Sequence, residues 1–375
     1  MRLHRTLPEI MADKGPIKLT LADIAERAGV SRSLASLALR GEPGVQREKR
    51  ERILKIAADL NYTPNPAARN LASNLSRTVG ILVADILNPY LAVLAKTIDA
   101  AARAKGFDVV LSVDGMPDEA AERAIGNLIA QRVAGIILSG APEDIKIVEK
   151  VARRIPVVYV GRHLEAETID SVCNDDHLGS SLLVRHLVEC GHKLIAHIDG
   201  GRGAGARRRR EGFQVAMHAH GLEPQVIPGR YTLDGGSNGA REALAKHPRP
   251  TAIFAANDLA AIGVLNTVLG AGLKVPEDIA VVGYDDMPFA ASGTLSLTTM
   301  HQPIDRMATQ CIDCLITRIQ DPDGPGTRVL LSPHLVARRS TLGSQFDSEV
   351  TQERQSQVSG PRRRQAKRIA VRNAP

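Results

Sequence analysis

Several residue types and segments are scarce or absent in this chain of 375 residues. Tryptophan is absent, aromatic residues make up 3%, and there are four cysteines, too few for a disulfide framework at this length. No stretch approaches the roughly 18 uninterrupted apolar residues of a membrane span, and the first residues lack the apolar segment of a signal peptide. We therefore expect a cytoplasmic protein that does not contact a membrane.

Signatures of catalysis and of metal or cofactor binding are also missing. The glycine-rich residues 200–205 lack the spacing and the lysine of a phosphate-binding loop, and no GxGxxG fingerprint occurs. Cys311 and Cys314 form a lone CxxC pair inside a predicted helix, which is weak support for zinc. The histidines lack a nucleophile motif and a paired acid at recognisable spacing. We expect no cofactor, no metal and no enzymatic activity.

The net charge of +7 is unevenly distributed. Residues 1–78 contain 14 basic and 8 acidic side chains, whereas residues 79–343 contain 27 basic and 30 acidic ones. A basic N-terminal segment on a mildly acidic body indicates either contact with a polyanion such as nucleic acid or a solvated basic surface.

Residues 18–63 carry the pattern of a small three-helix module. Thr20 and Asp23 have the spacing of a capping box, Gly29 predicts the end of the first helix, and Ser31 predicts the N-cap of the second. A third amphipathic helix follows. Two short helices joined by a glycine-containing turn indicate a helix-turn-helix domain, although other three-helix domains share the pattern.

The segment NYTPNPAARNLAS comes next, at residues 61–73. Pro64 should end the preceding helix, and Asn65 with Pro66 predicts a new helix of about two turns. A helix this short is marginal in water, so it needs a partner surface.

From residue 79 onward, apolar β-branched runs alternate with helical stretches. The runs are VGILVAD, FDVVLSV, AGIILSG, PVVYVG, KLIAHIDG, TAIFAAN and DIAVVGYDD. This pattern predicts a doubly wound α/β fold with parallel strands, in two units whose strand ends line a cleft.

The motifs resemble the lactose-repressor/galactose-repressor family of bacterial transcription regulators from Lys18 to about Leu342. The resemblance rests on TLADIAERAGVS, NYTPNPAARNL, NPYLAVLAKTIDAAA, RRREGF, FAANDLAAIGVL, VVGYDD and LTTMHQP, in this order. It implies a helix-turn-helix head and hinge helix, then a periplasmic-binding-protein-like body of two doubly wound parallel α/β subdomains. It also implies a homodimer that binds a pseudo-palindromic operator in double-stranded DNA and a small effector, sugar or nucleoside-like, that alters DNA affinity.

The expected domain organisation has five segments. They are a flexible extension at 1–17, the helix-turn-helix domain at 18–63, the hinge helix and linker at 64–78, the effector-binding and dimerisation domain at 79–343, and a disordered basic tail at 344–375. Within the body, the first subdomain is expected at about 79–161 and 294–320, and the second at about 162–293 and 321–343.

The resemblance implies a set of DNA-contacting residues. They are Thr20, Ser31, Arg32, Ser33, Ser36, Leu37, Tyr62, Asn65, Ala68 and Leu71. Arg32 could bond guanine bidentately, and Leu71 matches the family's leucine that wedges into the minor groove, its alternative being an apolar contact with the body. The sequence departs from many relatives at Leu34, Ala35 and Leu37, which leaves the operator sequence open, and at Gln46, a weak helix cap.

The resemblance also implies a set of effector-contacting residues. They are Asp85, Tyr90, Arg209, Tyr231, Asn257, Asp285 and Gln302. Carboxylates accept hydrogen bonds from adjacent hydroxyls, arginine and asparagine donate them, and a tyrosine ring offers an apolar face, so the set suits a polyhydroxylated ligand. As alternatives, Asp85 and Asp285 could cap the next element, and most guanidinium groups of ARRRRE should be solvated.

Two other functions were weighed. A solute-binding receptor with the same body fold is the main alternative, and an α/β enzyme such as a sugar kinase or an oxidoreductase is the other. The basic head argues against the receptor, and the missing nucleotide fingerprints argue against the enzyme. We therefore expect a transcriptional regulator that acts as a repressor.

Overall fold

The computed structural model describes residues 19–62, 76–113, 117–164, 169–293 and 295–344. The chain divides after Ser76 into two compact units, an N-terminal head and a C-terminal body. The expected extension, the hinge up to residue 75 and the tail beyond Ser344 lie outside the described residues.

The described part of the head contains three helices, as the sequence predicted. They are α1 (Leu21–Ala28), α2 (Arg32–Leu39) and α3 (Arg47–Asp59). Thr20 and Asp23 form the capping box of α1, and Gly29 ends this helix with a φ of 62°, a conformation that glycine adopts without strain. Ser31 caps α2 by accepting the amide of Leu34.

These helices enclose a small apolar core. Ile24, Ala28, Ala38 and Ile53 are almost fully buried within it. The Gln46 side chain makes no capping hydrogen bond at the start of α3, as expected for a poor N-cap residue.

The body alternates strands with helices. Its described strands are β1 (Thr78–Val83), β2 (Asp108–Ser112), β3 (Gly135–Ser139), β4 (Val157–Val160), β5 (Asp170–Asn174), β6 (Ile195–Ile198), β7 (Gln225–Ile227), β8 (Ala252–Ala255), β9 (Ala280–Val282), β10 (Thr299–His301), β11 (Arg328–Leu331) and β12 (His334–Val336). Its described α-helices are α4 (Pro89–Ala104), α5 (Asp118–Ala130), α6 (Ile145–Ala152), α7 (Asp176–Glu189), α8 (Ala206–Ala219), α9 (Leu233–Ala245), α10 (Asp258–Gly270), α11 (Ile304–Gln320) and α12 (Arg339–Leu342), and a 3-10 helix covers Pro288–Ala291.

Two parallel sheets with helices on both faces form most of the body, which confirms the predicted doubly wound fold, and β10 and β12 form a separate two-stranded antiparallel sheet. The first sheet has the order β11-β5-β4-β3-β1-β2 and the second has the order β7-β6-β8-β9. Helices α4 and α11 cover one face of the first sheet, and α5 and α6 cover the other. Helices α9 and α10 cover one face of the second sheet, and α7 and α8 cover the other. Burial on both faces explains the continuously apolar sequences of strands such as β4 and β9.

The observed sheet membership differs from the expected subdomain boundaries. Strands β5 and β11, expected in the second subdomain, pair with each other in the first sheet, where β5 also pairs with β4. Arg318 of α11 holds β5 there by donating two hydrogen bonds, of 2.9 and 3.1 Å, to the Asp170 carboxylate. Strand β10, expected in the first subdomain, instead adjoins the second sheet through a bridge between His301 and Asp285.

Candidate functional site

The described part of the head carries seven of the expected DNA-contacting residues on or beside its helices. They are Thr20, Ser31, Arg32, Ser33, Ser36, Leu37 and Tyr62. Arg32 and Ser33 are exposed in the first turn of α2. The Arg32 side chain makes no hydrogen bond or ion pair with any other described residue.

Other members of this set have structural contacts of their own. The Thr20 and Ser31 hydroxyls cap helices, and the Ser36 hydroxyl accepts a hydrogen bond from Arg40. Tyr62 packs against the head core, and this burial raises the pKa of its phenol. Three further members, Asn65, Ala68 and Leu71, lie outside the described residues.

A cavity of about 680 Å³ lies at the carboxyl ends of the strands in the body. Residues that follow β1, β3, β6 and β8 line it together with residues that end β4 and β5. This is where ligands bind in open parallel α/β sheets. All seven expected effector residues line the cavity, namely Asp85, Tyr90, Arg209, Tyr231, Asn257, Asp285 and Gln302. Their contact with an effector stays a prediction.

A buried cluster of charge lies in the cavity wall. The Arg209 Nε atom donates to Asp176 at 2.9 Å, and its Nη1 atom lies 3.8 Å from an Asp285 oxygen. Burial raises the pKa of Asp176 and raises that of Asp285 well above its ordinary value, while Arg209 acts in the opposite direction on both. Because one guanidinium group faces two carboxyl groups, it can neutralise only one of them.

The backbone at Asp285 is held in an uncommon conformation. Its φ is 119°, and φ of the following Asp286 is 53°. The amide of Asp285 donates to Met300, while the Gln302 side chain donates to the Asp285 carboxyl group. Strained backbone fixed in this way is typical of ligand sites, and it argues against a mere capping role for Asp285.

Two glycines of the loop before α8 make room for an aromatic wall. A Cβ atom on Gly200 or on Gly203 would overlap the Tyr231 ring. The Tyr231 hydroxyl donates to the Ala204 carbonyl at 2.8 Å, and the Arg209 guanidinium group lies 5.5 Å from the ring centroid. The loop therefore holds one face of Tyr231 and leaves the ring at the cavity surface.

The cavity wall also contains buried polar atoms with no partner among the described residues. They are the Asn257 amide nitrogen, the Asn174 side-chain oxygen and the Ser139 hydroxyl. Asn257 caps α10 with its oxygen, which accepts the Ala260 amide at 2.8 Å, so its amide group remains available to donate. Unpaired buried donors and acceptors cost free energy that a hydrogen-bonding ligand would offset.

Other expected effector residues have mixed environments. Asp85 is exposed and accepts the Leu87 amide at 2.9 Å, so it does make a local turn contact. Tyr90 is buried, with its hydroxyl 3.4 Å from the Met307 sulfur.

Asn174, Asp176 and Ser139 also line the cavity, although no sequence motif predicted it. Asn174 donates to Gln302 across the cavity wall, and Asp176 forms the short contact to Arg209. Asn174 ends β5 and Asp176 begins the helix that follows it, and no apolar run in the sequence predicts this strand, so the pairing of β5 in the first sheet brings both residues to the cavity.

The CxxC motif lies inside the hydrophobic core of the body. Cys311 and Cys314 are buried in α11 within the core of the first sheet. Among the described residues, no group of three metal-ligating side chains occurs and no helix is long and apolar enough to cross a bilayer.

Comparisons with known proteins agree with this arrangement. Residues 20–65 match the model of "Bacterial regulatory proteins, lacI family", and residues 184–341 match that of "Periplasmic binding protein-like domain". The chain is 32% identical to the ribose operon repressor of Escherichia coli (strain K12), over 86% of this chain and 99% of that protein.

Solved structures are similar over the same length. A lac repressor dimer bound to operator and the anti-inducer ONPF has a TM-score of 0.78 and 30% identity, covering 86% of this chain and 99% of that one. A transcriptional regulator CelR in complex with cellobiose has a TM-score of 0.66 and 30% identity, with the same coverage of both chains.

Proposed function

Because the chain belongs to the lacI family of bacterial regulatory proteins, we propose that it is a sequence-specific transcriptional repressor controlled by a small polyhydroxylated effector. The observation that carries this proposal is the combination, in one chain, of a helix-turn-helix head and a polar cavity at the strand ends of the body. A solute-binding receptor needs only the body, so the head argues against that alternative.

The head supplies the DNA-reading surface. Helix α2 is the recognition helix, and Arg32 in its first turn donates to guanine O6 and N7 in the major groove. Ser33 lies beside it, and the half-buried Leu37 contributes at most an apolar contact to a thymine methyl group. Thr20, Ser31 and Ser36 lie near phosphates. Two copies of the chain form a homodimer, so the operator is a pseudo-palindrome with half-sites about one helical turn apart.

The body supplies the effector site, and the chemistry of its wall favours a sugar or a nucleoside-like molecule. Asp285 and the Asn174 oxygen accept hydroxyl hydrogens, whereas Asn257 donates. Tyr231 stacks on the apolar face of a ring. The CelR complex with cellobiose and the ribose operon repressor are relatives whose names refer to sugars.

The effector acts by binding two conformations of the body with different affinity, and operator affinity changes as their populations shift. The hinge residues Asn65, Ala68 and Leu71 contribute the minor-groove contact of the dimer, with Leu71 as the wedge that bends the duplex.

A mobility-shift assay with genomic fragments tests the proposal. Wild-type protein should retain specific fragments that footprint as pseudo-palindromes, and Arg32→Ala should lose discrimination between these fragments and random DNA while keeping non-specific binding. Thermal shifts across a panel of sugars and nucleosides should then identify ligands that also change operator affinity. A protein that binds sugars but retains no specific fragment would be a receptor, and the proposal would be wrong.

A further inference from the structure

A second cavity, of about 730 Å³, adjoins the effector cavity and is rich in arginine. The two cavities share the lining residues Asp118, Glu143, Gly201, Arg202 and Gly203. Five arginines line the second cavity, namely Arg162, Arg202, Arg207, Arg208 and Arg210. Three acidic residues line it as well, namely Asp118, Glu143 and Asp144. A ligand in the first cavity can therefore extend directly into a basic one.

Three of these arginines have carboxylate partners. The pairs are Arg202 with Glu143 at 2.5 Å, Arg210 with Asp199 at 2.7 Å, and Arg207 with Glu211 at 3.7 Å. The remaining two, Arg162 and Arg208, form no ion pair with any described carboxylate. Arg162 donates to the Glu143 carbonyl oxygen at 2.8 Å, and the buried Nε atom of Arg208 has no acceptor among the described residues. Neither of these two half-buried positive charges has an ion-pair partner among the described residues, and the Asp176 carboxylate on which Arg208 acts at longer range is already paired with Arg209.

The other acidic residues of the cavity are already occupied. The two Asp118 oxygens accept the backbone amides of Glu143 and Asp144, at 2.8 and 3.1 Å. The Asp144 side chain in turn caps α6 by accepting the Lys146 amide at 2.9 Å. Backbone donors orient these two carboxylates, which keep their charge but form no ion pair with Arg162 or Arg208.

The start of α8 adds to the positive potential. Its N-cap is Gly205, which offers no side-chain acceptor, and its first turn contains no acidic residue. Arg207 and Arg208 lie in this turn, and their backbone amides have no acceptor among the described residues. The N-terminal end of a helix already carries a partial positive charge, and the carboxylate beside Gly205, that of Asp176, is already paired with Arg209.

We propose that the second cavity binds an anionic group, a carboxylate or a phosphate, that the effector itself carries. This inference rests on the proposed function, because it assigns a charge to the effector of the first cavity. The hydroxyl-bearing ring lies against Tyr231 and Asn257, while the anionic group lies between Arg162, Arg208 and the first turn of α8. The ligand is then a sugar acid or a sugar phosphate rather than a neutral sugar.

The test uses the full chain, the double variant Arg162→Gln/Arg208→Gln, and Arg123→Gln as a control that removes an exposed arginine on α5. Inorganic phosphate is titrated against sodium chloride at matched ionic strength, with melting temperature as the readout. Phosphate should stabilise the wild type and the control equally. In the double variant its dissociation constant should rise by roughly tenfold or more, since charge-assisted hydrogen bonds are lost. Equal phosphate affinity in the wild type and the double variant, or no phosphate effect in the wild type, would overturn the inference.

A second arm identifies the source of the anion. Sugars compete with phosphate for the cavity in this assay. One set is glucose, glucuronate and glucose 6-phosphate, and the other is ribose and ribose 5-phosphate. Displacement by a charged sugar at a lower concentration than by its neutral counterpart supports the inference. If no charged sugar displaces phosphate at a lower concentration than its neutral counterpart does, the second cavity is a site for free anions. This outcome would overturn the assignment of the anionic group to the effector.

Operator binding separates this inference from the proposed function. The double variant should retain ligand-free operator binding, because neither arginine lies in the head. Intact specific DNA binding with no anion preference would contradict only the present inference, whereas absence of specific DNA binding by the wild type would contradict the proposed function.

Discussion

Substitution of the buried charge cluster should change how stability depends on pH. Arg209, Asp176 and Asp285 are all at least 95% buried, since their exposed fractions are 5%, 3% and 4%. Arg209 donates directly to Asp176, whereas its closest approach to Asp285 is 3.8 Å. With one cation for two carboxyl groups, Asp285 is the member whose pKa burial raises further, so it holds its proton more tightly than Asp176 does in the folded protein.

The direction of the pH effect follows from the raised pKa of Asp285, whose largest cause is burial. Between the ordinary aspartate pKa, about 3.9, and the raised folded pKa, the native state binds a proton that the unfolded state has released. Stability contributed by this group is therefore present at low pH and is lost as pH rises, by about 1.4 kcal/mol per pH unit within that window. Asp285→Asn removes this loss, because asparagine has the same shape and does not titrate.

Removal of the cation should have the opposite effect. In Arg209→Met the pKa of Asp176, already raised by burial, should rise further because its counter-ion is lost, so the slope should increase by at most about 1.4 kcal/mol per pH unit. Breaking a buried ion pair also costs about 3 to 5 kcal/mol. The double variant Arg209→Met/Asp285→Asn retains one of these two carboxyl groups and should therefore have a smaller slope than Arg209→Met.

Urea unfolding followed by circular dichroism between pH 5 and 7 measures these slopes. Burial raises the pKa of Asp258 to about 7, and the Asp258 charge also raises the pKa of Asp285, so all slopes are compared in an Asp258→Asn background. An Asp285→Asn protein whose stability falls with pH as steeply as that of the wild type would refute the assignment of the proton to Asp285.

Three further outcomes are expected. Gln46→Ser should supply the missing cap of α3 and stabilise the head by about 1 kcal/mol, measured by its melting temperature against Gln46→Ala. Gly203→Ala should displace the Tyr231 ring and weaken, by roughly tenfold, the ligand that most stabilises the wild type in a calorimetric titration, while ligand-free operator binding is unchanged. Arg318→Leu should break the buried pair with Asp170 and lower the stability of the body by about 3 to 5 kcal/mol in urea unfolding.

The parts of the fold that the sequence predicted are those with local causes. Thr20 and Asp23 need only each other to form a capping box, and Gly29 needs only its own backbone freedom to end α1. The apolar runs likewise predicted β1, β3 and β4, because burial on both faces leaves an uninterrupted apolar pattern.

The strands that the sequence did not reveal depend on distant partners. Strand β5, with the sequence DSVCN, begins and ends with polar residues. Its place in the first sheet is set by β11 and by Arg318, both about 150 residues further along the chain. Short strands such as β7 and β10 carry too few residues for any periodicity. The positions of Asn174 and Asp176 in the cavity wall follow from β5, so they were missed with it.

The run of four arginines at the start of α8 shows the same limit at the level of single side chains. Sequence analysis expected most guanidinium groups of ARRRRE to be solvated, yet successive helical residues point about 100° apart, so each enters a different environment. Arg207 is exposed, Arg208 lies half-buried at the second cavity, Arg209 is buried between two carboxyl groups, and Arg210 pairs with Asp199. From composition alone, most of these arginines are expected to be solvated. The geometry of the helix instead places each guanidinium group in a different environment. Their substitution should therefore affect different properties, with Arg208 affecting anion preference and Arg209 affecting the pH dependence of stability.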